Sequence, residues 1–257
     1  MASRNHKSFI FSLFCSAFMA ANASAVSIDL DLSNPTSSYG NSVYNYTAGD
    51  VNLSVSGFSY DRRGEIESDT VGNYGAGLGV EDGWSPEHAI DNGFNLSTFR
   101  FDYDMLLLSF DQAVSLDSIT AGWRGTMLNL FQPSSRNSEA SVLAYGGAGT
   151  PDNFVGSEWS DLLNDEWAGI GNYRIDNLNS PEAVNAGGMM SRYWLVGAYN
   201  PTLNLDNEAG THFSAANDFW KLDSISVTVN PVPLPGSLLL FGTALVIFGS
   251  MRRKQAK

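Results

Sequence analysis

VNLSVSGFSY, residues 51–60, sets Val51, Leu53 and Val55 against Asn52, Ser54 and Ser56. A period of two turns alternate side chains to opposite faces, so this stretch reads as a strand with one buried face. Gly57 breaks the alternation and reads as a bulge. Outward from it, MLLLSF at residues 105–110, bounded by Asp104 and Asp111, reads as a buried strand. After a short turn a second strand covers residues 118–123, with Ile119, Ala121 and Trp123 on one face. Residues 141–145, 193–199 and 219–229 add three more. In the last, Ile225, Val227 and Val229 should face the core, with Leu222, Ser224, Ser226 and Thr228 opposite. Residues 61–83 are rich in Gly, Asp and Glu and read as a long loop with one short strand at 78–80. A single helix is expected over residues 157–167, with Ser157 as N-cap and Glu158 and Asp161 in its first turn. The expected fold is all-β: an antiparallel two-sheet sandwich of jelly-roll type with one short helix.

Both ends of the chain differ from this pattern. Arg4, His6 and Lys7 precede an apolar stretch at residues 9–20, and Ala23-Ser24-Ala25 follows. That order is a secretory signal peptide over residues 1–25, with cleavage before Val26 and a second acceptable site before Ser24. Cys15 is the only cysteine, and Phe14 before it is too large for a lipoprotein signal. The exported chain then has no thiol for a disulfide, a zinc site or a nucleophile.

At the other end, residues 231–257 hold three parts in order. Val232-Pro233-Leu234-Pro235-Gly236-Ser237 is a proline elbow, residues 238–251 are apolar, and Arg252-Arg253-Lys254 is a basic tail. As a helix, residues 235–251 span about 25 Å. That is slightly short of a ~30 Å hydrocarbon core, so a transmembrane helix here crosses with some thinning or snorkelling. The cations hold the tail on the cytoplasmic side. The arrangement resembles the PEP-CTERM signal read by exosortases in Gram-negative bacteria that make exopolysaccharide. It departs from the name-giving pattern at Leu234, where the Glu of Pro-Glu-Pro would stand. The resemblance implies an inner-membrane exosortase as partner, an inner-membrane-anchored intermediate, and then the cell surface or the extracellular matrix with its exopolysaccharide. A plain C-terminal membrane anchor is the alternative.

Between the two signals lies one domain, residues 26–230. It carries all 27 acidic residues against eight basic ones, a formal charge of −19. Such a surface repels nucleic acid and anionic lipid. Charged residues are still only 16% of the chain, and Gly, Ser and Asn are plentiful, which favours a loop-rich β protein.

Within the domain, Ala89-Ile90-Asp91-Asn92-Gly93 is followed by the strands at 105–110 and 118–123. An Ala-x-Asp-x-Gly turn before two such strands resembles galactose-binding-like (discoidin-type) jelly rolls. Residues 77–123 with both chain ends further resemble a family of exosortase-dependent surface proteins. The discoidin-type likeness implies calcium as a cofactor, held by Asp91 with Asn92, Gly93 and Asn95 as carbonyl donors; otherwise none is required.

For catalysis the exported domain offers two histidines, His88 and His212, and no G-x-S-x-G, H-E-x-x-H or phosphate-binding loop. Aromatic platforms for sugar would come from Trp84, Phe94, Trp159 or Trp167, whereas Trp123 and Trp194 sit in strands as packing residues. The leading expectation is a non-enzymatic, exported surface or matrix protein. The alternatives are a carbohydrate- or calcium-binding module and a secreted hydrolase built on one of the histidines.

Overall fold

The computed structural model describes residues 24–35, 37–39, 42–60, 63–81, 88–95, 100–125, 138–211, 213 and 218–230. Residues 1–23 of the expected signal peptide, Ala23 included, the elbow at Val232 to Ser237, the apolar span, Arg252 and Arg253, as well as Trp84 and His212, lie outside them. Among the described residues no helix is long and apolar enough to cross a membrane.

The strands are β1 (Val26–Asp31), β2 (Ser37–Tyr39), β3 (Val43–Ala48), β4 (Val51–Tyr60), β5 (Ile66–Asn73), β6 (Leu78–Glu81), β7 (Ile90–Asp91), β8 (Phe94–Asn95), β9 (Arg100–Phe101), β10 (Met105–Gly125), β11 (Ser138–Tyr145), β12 (Trp167–Ile175), β13 (Pro181–Ala183), β14 (Ser191–Ala198) and β15 (Phe219–Val229). Their ladders are antiparallel, and thirteen of the strands form one connected network; β8 and β9 pair with each other. The fold is therefore all-β.

β10 organises the network. Its first part, Met105 to Phe110, pairs with β4 on one side, and Met105 to Val114 pairs with β14 on the other. Its second part, from Ser115 to Gly125, pairs with β15, and Ser118 to Thr120 pair with β13. The turn expected after Phe110 is absent. A register shift between Ser109 and Val114 lets one strand continue with a bend, as bulges do. Asp111 takes part in the bend, accepting hydrogen bonds from Asn52 N (3.1 Å) and Nδ2 (2.7 Å).

Side-chain alternation then divides the core. Leu106, Leu108 and Phe110 of β10 enter the main cluster with Leu53, Val55, Trp194, Val196 and Trp220. Met105, with Phe58, Leu143, Tyr145, Tyr193 and Leu195, points to the opposite face of the same strands and forms a second cluster. This explains why residues 105–110 read as a continuous apolar run: both faces are covered. A fully buried side chain of the size of Phe110 or Leu108 contributes about 1.5–3 kcal/mol.

Four further expectations are corrected. The loop expected over 61–83 contains β5 as well as β6. Residues Ile66 to Asp69 pair with β4 and Thr70 to Asn73 with β6, so the strand changes partners midway and shows no simple alternation. Gly57 is not a bulge, because it stays in register with Leu106 and Asp69. Its missing side chain instead admits β5, since a Cβ there would stand 3.1 Å from Val71 Cγ2 and 3.3 Å from two backbone oxygens.

The helix over 157–167 is a six-residue 3-10 helix, Trp159–Asn164, capped by Glu158 rather than Ser157. Its buried residues Trp159 and Leu162 are three apart and eclipse in that geometry. In β15, Leu222 joins Ile225 and Val227 in the core instead of opposing them. A register shift around Asp223 reverses the phase of the strand.

Candidate functional site

The Asp91 turn folds as a buried corner. Asp91 ends β7, and Gly93 N donates to its Oδ1 at 2.7 Å, the closure of an Asx turn. The Asp91 carbonyl accepts from Asp104 N (2.9 Å), and the Gly93 carbonyl accepts from Asp102 N (2.8 Å). Asn92 is fully buried; its Nδ2 donates to Tyr199 O (2.9 Å) and Asp218 Oδ2 (2.7 Å), and its Oδ1 accepts from Asp218 N (2.9 Å). Glu139 N donates to the other oxygen of Asp218 at 2.8 Å. Burial, and then the Glu139 carboxylate, push the Asp218 carboxyl well above the usual range.

Calcium takes about six to eight oxygen ligands. Here the Asp91 Oδ1, both turn carbonyls and the Asn92 amide already meet protein donors and acceptors. Among the described residues no three His, Cys, Asp or Glu side chains are grouped to hold a metal ion. These contacts form a hydrogen-bonded clasp that ties residues 91–93 to β15. Asn95 belongs to the short β8 strand.

The other residues singled out by sequence are dispersed. His88 is exposed, with Nδ1 3.9 Å from Glu81 Oε1 and its ring 4.4 Å from that of Tyr74. Among the described residues its neighbours include a carboxylate and an aromatic ring. Ala25 is exposed immediately before β1, and Phe94 lies in β8. Trp194 is packed in the core as expected. Trp123 is half-buried under Lys221, whose Nζ is 5.4 Å from the ring centre. Trp159 is completely buried and presents no platform.

Trp167 remains, and it leads to a site the sequence did not announce. It opens β12 directly across from Tyr145, the last residue of β11, with ring centres 5.4 Å apart. Residues 146–166 leave and return between these two positions, carrying the 3-10 helix; long excursions of this kind are where binding residues gather. Phe154 from this excursion meets Trp167 edge-on at 6.0 Å. Glu166 has a left-handed backbone (φ 65°), unusual for a side chain of its size, and its carbonyl accepts from Gly146 N at 2.8 Å. Its carboxylate accepts a 2.8 Å hydrogen bond from the Tyr145 hydroxyl. That bond, and burial after it, raise the Tyr145 pKa to about 12, so Tyr145 stays a neutral donor.

A pocket of about 270 Å³ opens here, with Tyr145, Phe154, Trp167, Asp152, Asp165 and Glu166 among its lining residues. A second, about 300 Å³, lies against Tyr145 from the Gly146-Gly147-Ala148-Gly149 segment, with Arg192 and Tyr193. Gly147 has to be glycine for the pair to form, because a Cβ at that position would overlap the Tyr145 hydroxyl and Glu166 Oε2. The glycine run and the acidic 152–166 segment were the signals available. Neither shows, without the fold, that Tyr145 and Glu166 meet.

No protein-family model, no curated protein and no solved structure matches the chain.

Proposed function

We propose that this chain is a non-enzymatic, exported surface or matrix protein, handed by residues 231–257 to an inner-membrane exosortase and then associated with exopolysaccharide. The observation that carries the reading is the ladder between β1 and β15, in which Val26 pairs with Val229 and Asp31 with Ser224. The first and last strands of the domain lie side by side, with Val26 opposite Val229, so the domain begins and ends at one edge of the same ladder. Cutting away a signal peptide ending at Ala25 or a sorting segment beginning at Pro231 removes no residue of the core. The order of elbow, apolar span and basic tail in the sequence supports the same reading. The division of β10 and β5 between two sets of partners supports a two-sheet sandwich of jelly-roll type as the finer description of the fold.

The test is a Pro233→Ala, Pro235→Ala double variant bearing an epitope after Lys257. Both prolines lack an N–H and hold the preceding chain extended, which presents it to a membrane peptidase. The variant should accumulate as uncleaved, membrane-retained protein, whereas the native chain is released without the epitope. Equal release of both would reject sorting through the elbow. The Tyr145 pocket favours a second reading, a binding module whose sorting is incidental.

A further inference from the structure

We propose that the pocket between Tyr145 and Trp167 binds an ammonium group carried by an organic ligand. The inference rests on the binding-module reading and stands whether or not the chain is sorted.

Three features converge. Three aromatic side chains line the pocket, each less than a tenth exposed: Tyr145 and Trp167 are cross-strand partners, and Phe154 lies edge-on to Trp167. Aromatic rings attract cations through the ring quadrupole, more strongly where water is excluded. The lining is anionic, with Asp152, Asp165 and Glu166, and its described residues include no Lys, Arg or His. Asn153 and Asn164 add amide groups able to orient a polar ligand.

The choice of an organic cation over a metal ion follows from size. Among the described residues no three carboxylates are grouped closely enough to hold a metal. They are spread around an opening of about 270 Å³, the volume of a small organic group rather than of an ion. The Tyr145–Glu166 hydrogen bond fixes one carboxylate against the aromatic wall, so its charge faces the pocket without ligand-induced rearrangement. Polarity is set as well. Arg192 lines the neighbouring pocket, which shares Tyr145, whereas the acidic side chains line this one, so a cation is drawn to this pocket rather than to its neighbour.

An ammonium group could reach this site on an amino sugar or on a free amine, and titration calorimetry of the full-length chain at low salt separates the two. The probes are a tetramer of glucosamine, its fully N-acetylated counterpart, and choline. The glucosamine tetramer should bind and the N-acetylated one should bind at least tenfold more weakly. Choline binding as tightly as the tetramer would identify a free amine as the source; tetramer binding alone would identify the saccharide. Glu166→Gln should weaken the cationic probe about tenfold and Asp165→Asn several-fold. Both positions are exposed, so the fold should survive. Asp50→Asn, an exposed carboxylate in the β3–β4 turn, should change nothing. Equal binding of acetylated and free-amine tetramers, or equal weakening by Asp50→Asn and Glu166→Gln, would overturn the proposal, the latter by showing only the diffuse field of an acidic domain. Failure of all three probes would overturn it too.

Discussion

Asn92 and Asp218, 126 residues apart, hold each other reciprocally: Asn92 Nδ2 donates to Asp218 Oδ2 at 2.7 Å, and Asp218 N donates to Asn92 Oδ1 at 2.9 Å. The pair is buried and joins the turn after β7 to the start of β15, with Tyr199 and Glu139 as further partners. Truncating one member leaves the other desolvated and unpaired, which costs more than the hydrogen bonds themselves gain. Asn92→Ala should therefore lose about 3 kcal/mol of stability. Asn52→Ala, at an exposed amide, should lose under about 1 kcal/mol. Urea unfolding midpoints of the two variants check the contrast.

The same pair gives the stability of the domain a pH slope. The folded-state pKa of Asp218 lies well above its unfolded value because burial, then Glu139, disfavour the charged form. A group raised in this way binds its proton more tightly when folded. Its contribution is complete below the unfolded value of about 3.9 and is lost as pH rises through the raised folded value. Burial shifts Glu182 and Asp223 in the same direction. Stability should thus fall as pH climbs out of the carboxylate range. Asp218→Asn should flatten that slope while lowering stability at acid pH, since one of the two accepting oxygens becomes an N–H donor facing another donor. A slope as steep in the variant as in the native chain would assign the effect to other groups.

How much of this was legible in the sequence depended on whether a segment answers to one environment. β4 and β15 have the bounds expected, because each is long and carries enough buried apolar positions to mark a strand, even though the phase of β15 reverses at Asp223. β5 was missed because IESDTVGN serves two partners in eight residues, leaving polar side chains at its midpoint. β1 was missed because only Leu30 in it is fully covered. The 3-10 helix had the composition of an α-helix, yet its six residues are too few to offset the nucleation penalty without the Trp159 and Leu162 anchors. Trp167 was seen as an aromatic candidate, but Tyr145 read only as the end of a strand. Their meeting is a matter of β11–β12 register, which no local pattern encodes.

The last expectation separates the Asp91 turn from the acidity around it. A domain of formal charge −19 repels itself, and any cation should raise its melting temperature by screening. A calcium ion bound only to the folded state would add RT ln(1 + [L]/Kd), about 2.7 kcal/mol at a hundredfold excess over Kd. The oxygens of the turn are engaged by Gly93 N, Asp102 N and Asp104 N, and the Asn92 amide by Asp218 and Tyr199, so this specific increment should be missing. Calcium and magnesium at equal millimolar concentration should therefore raise the melting temperature of the chain equally. Asp91→Ala should lower the starting temperature, by loss of the Asx closure, and leave the response to either ion unchanged. A shift unique to calcium that disappears in Asp91→Ala would instead establish the cation site that the discoidin-type resemblance implies, and the clasp would have to open to admit it.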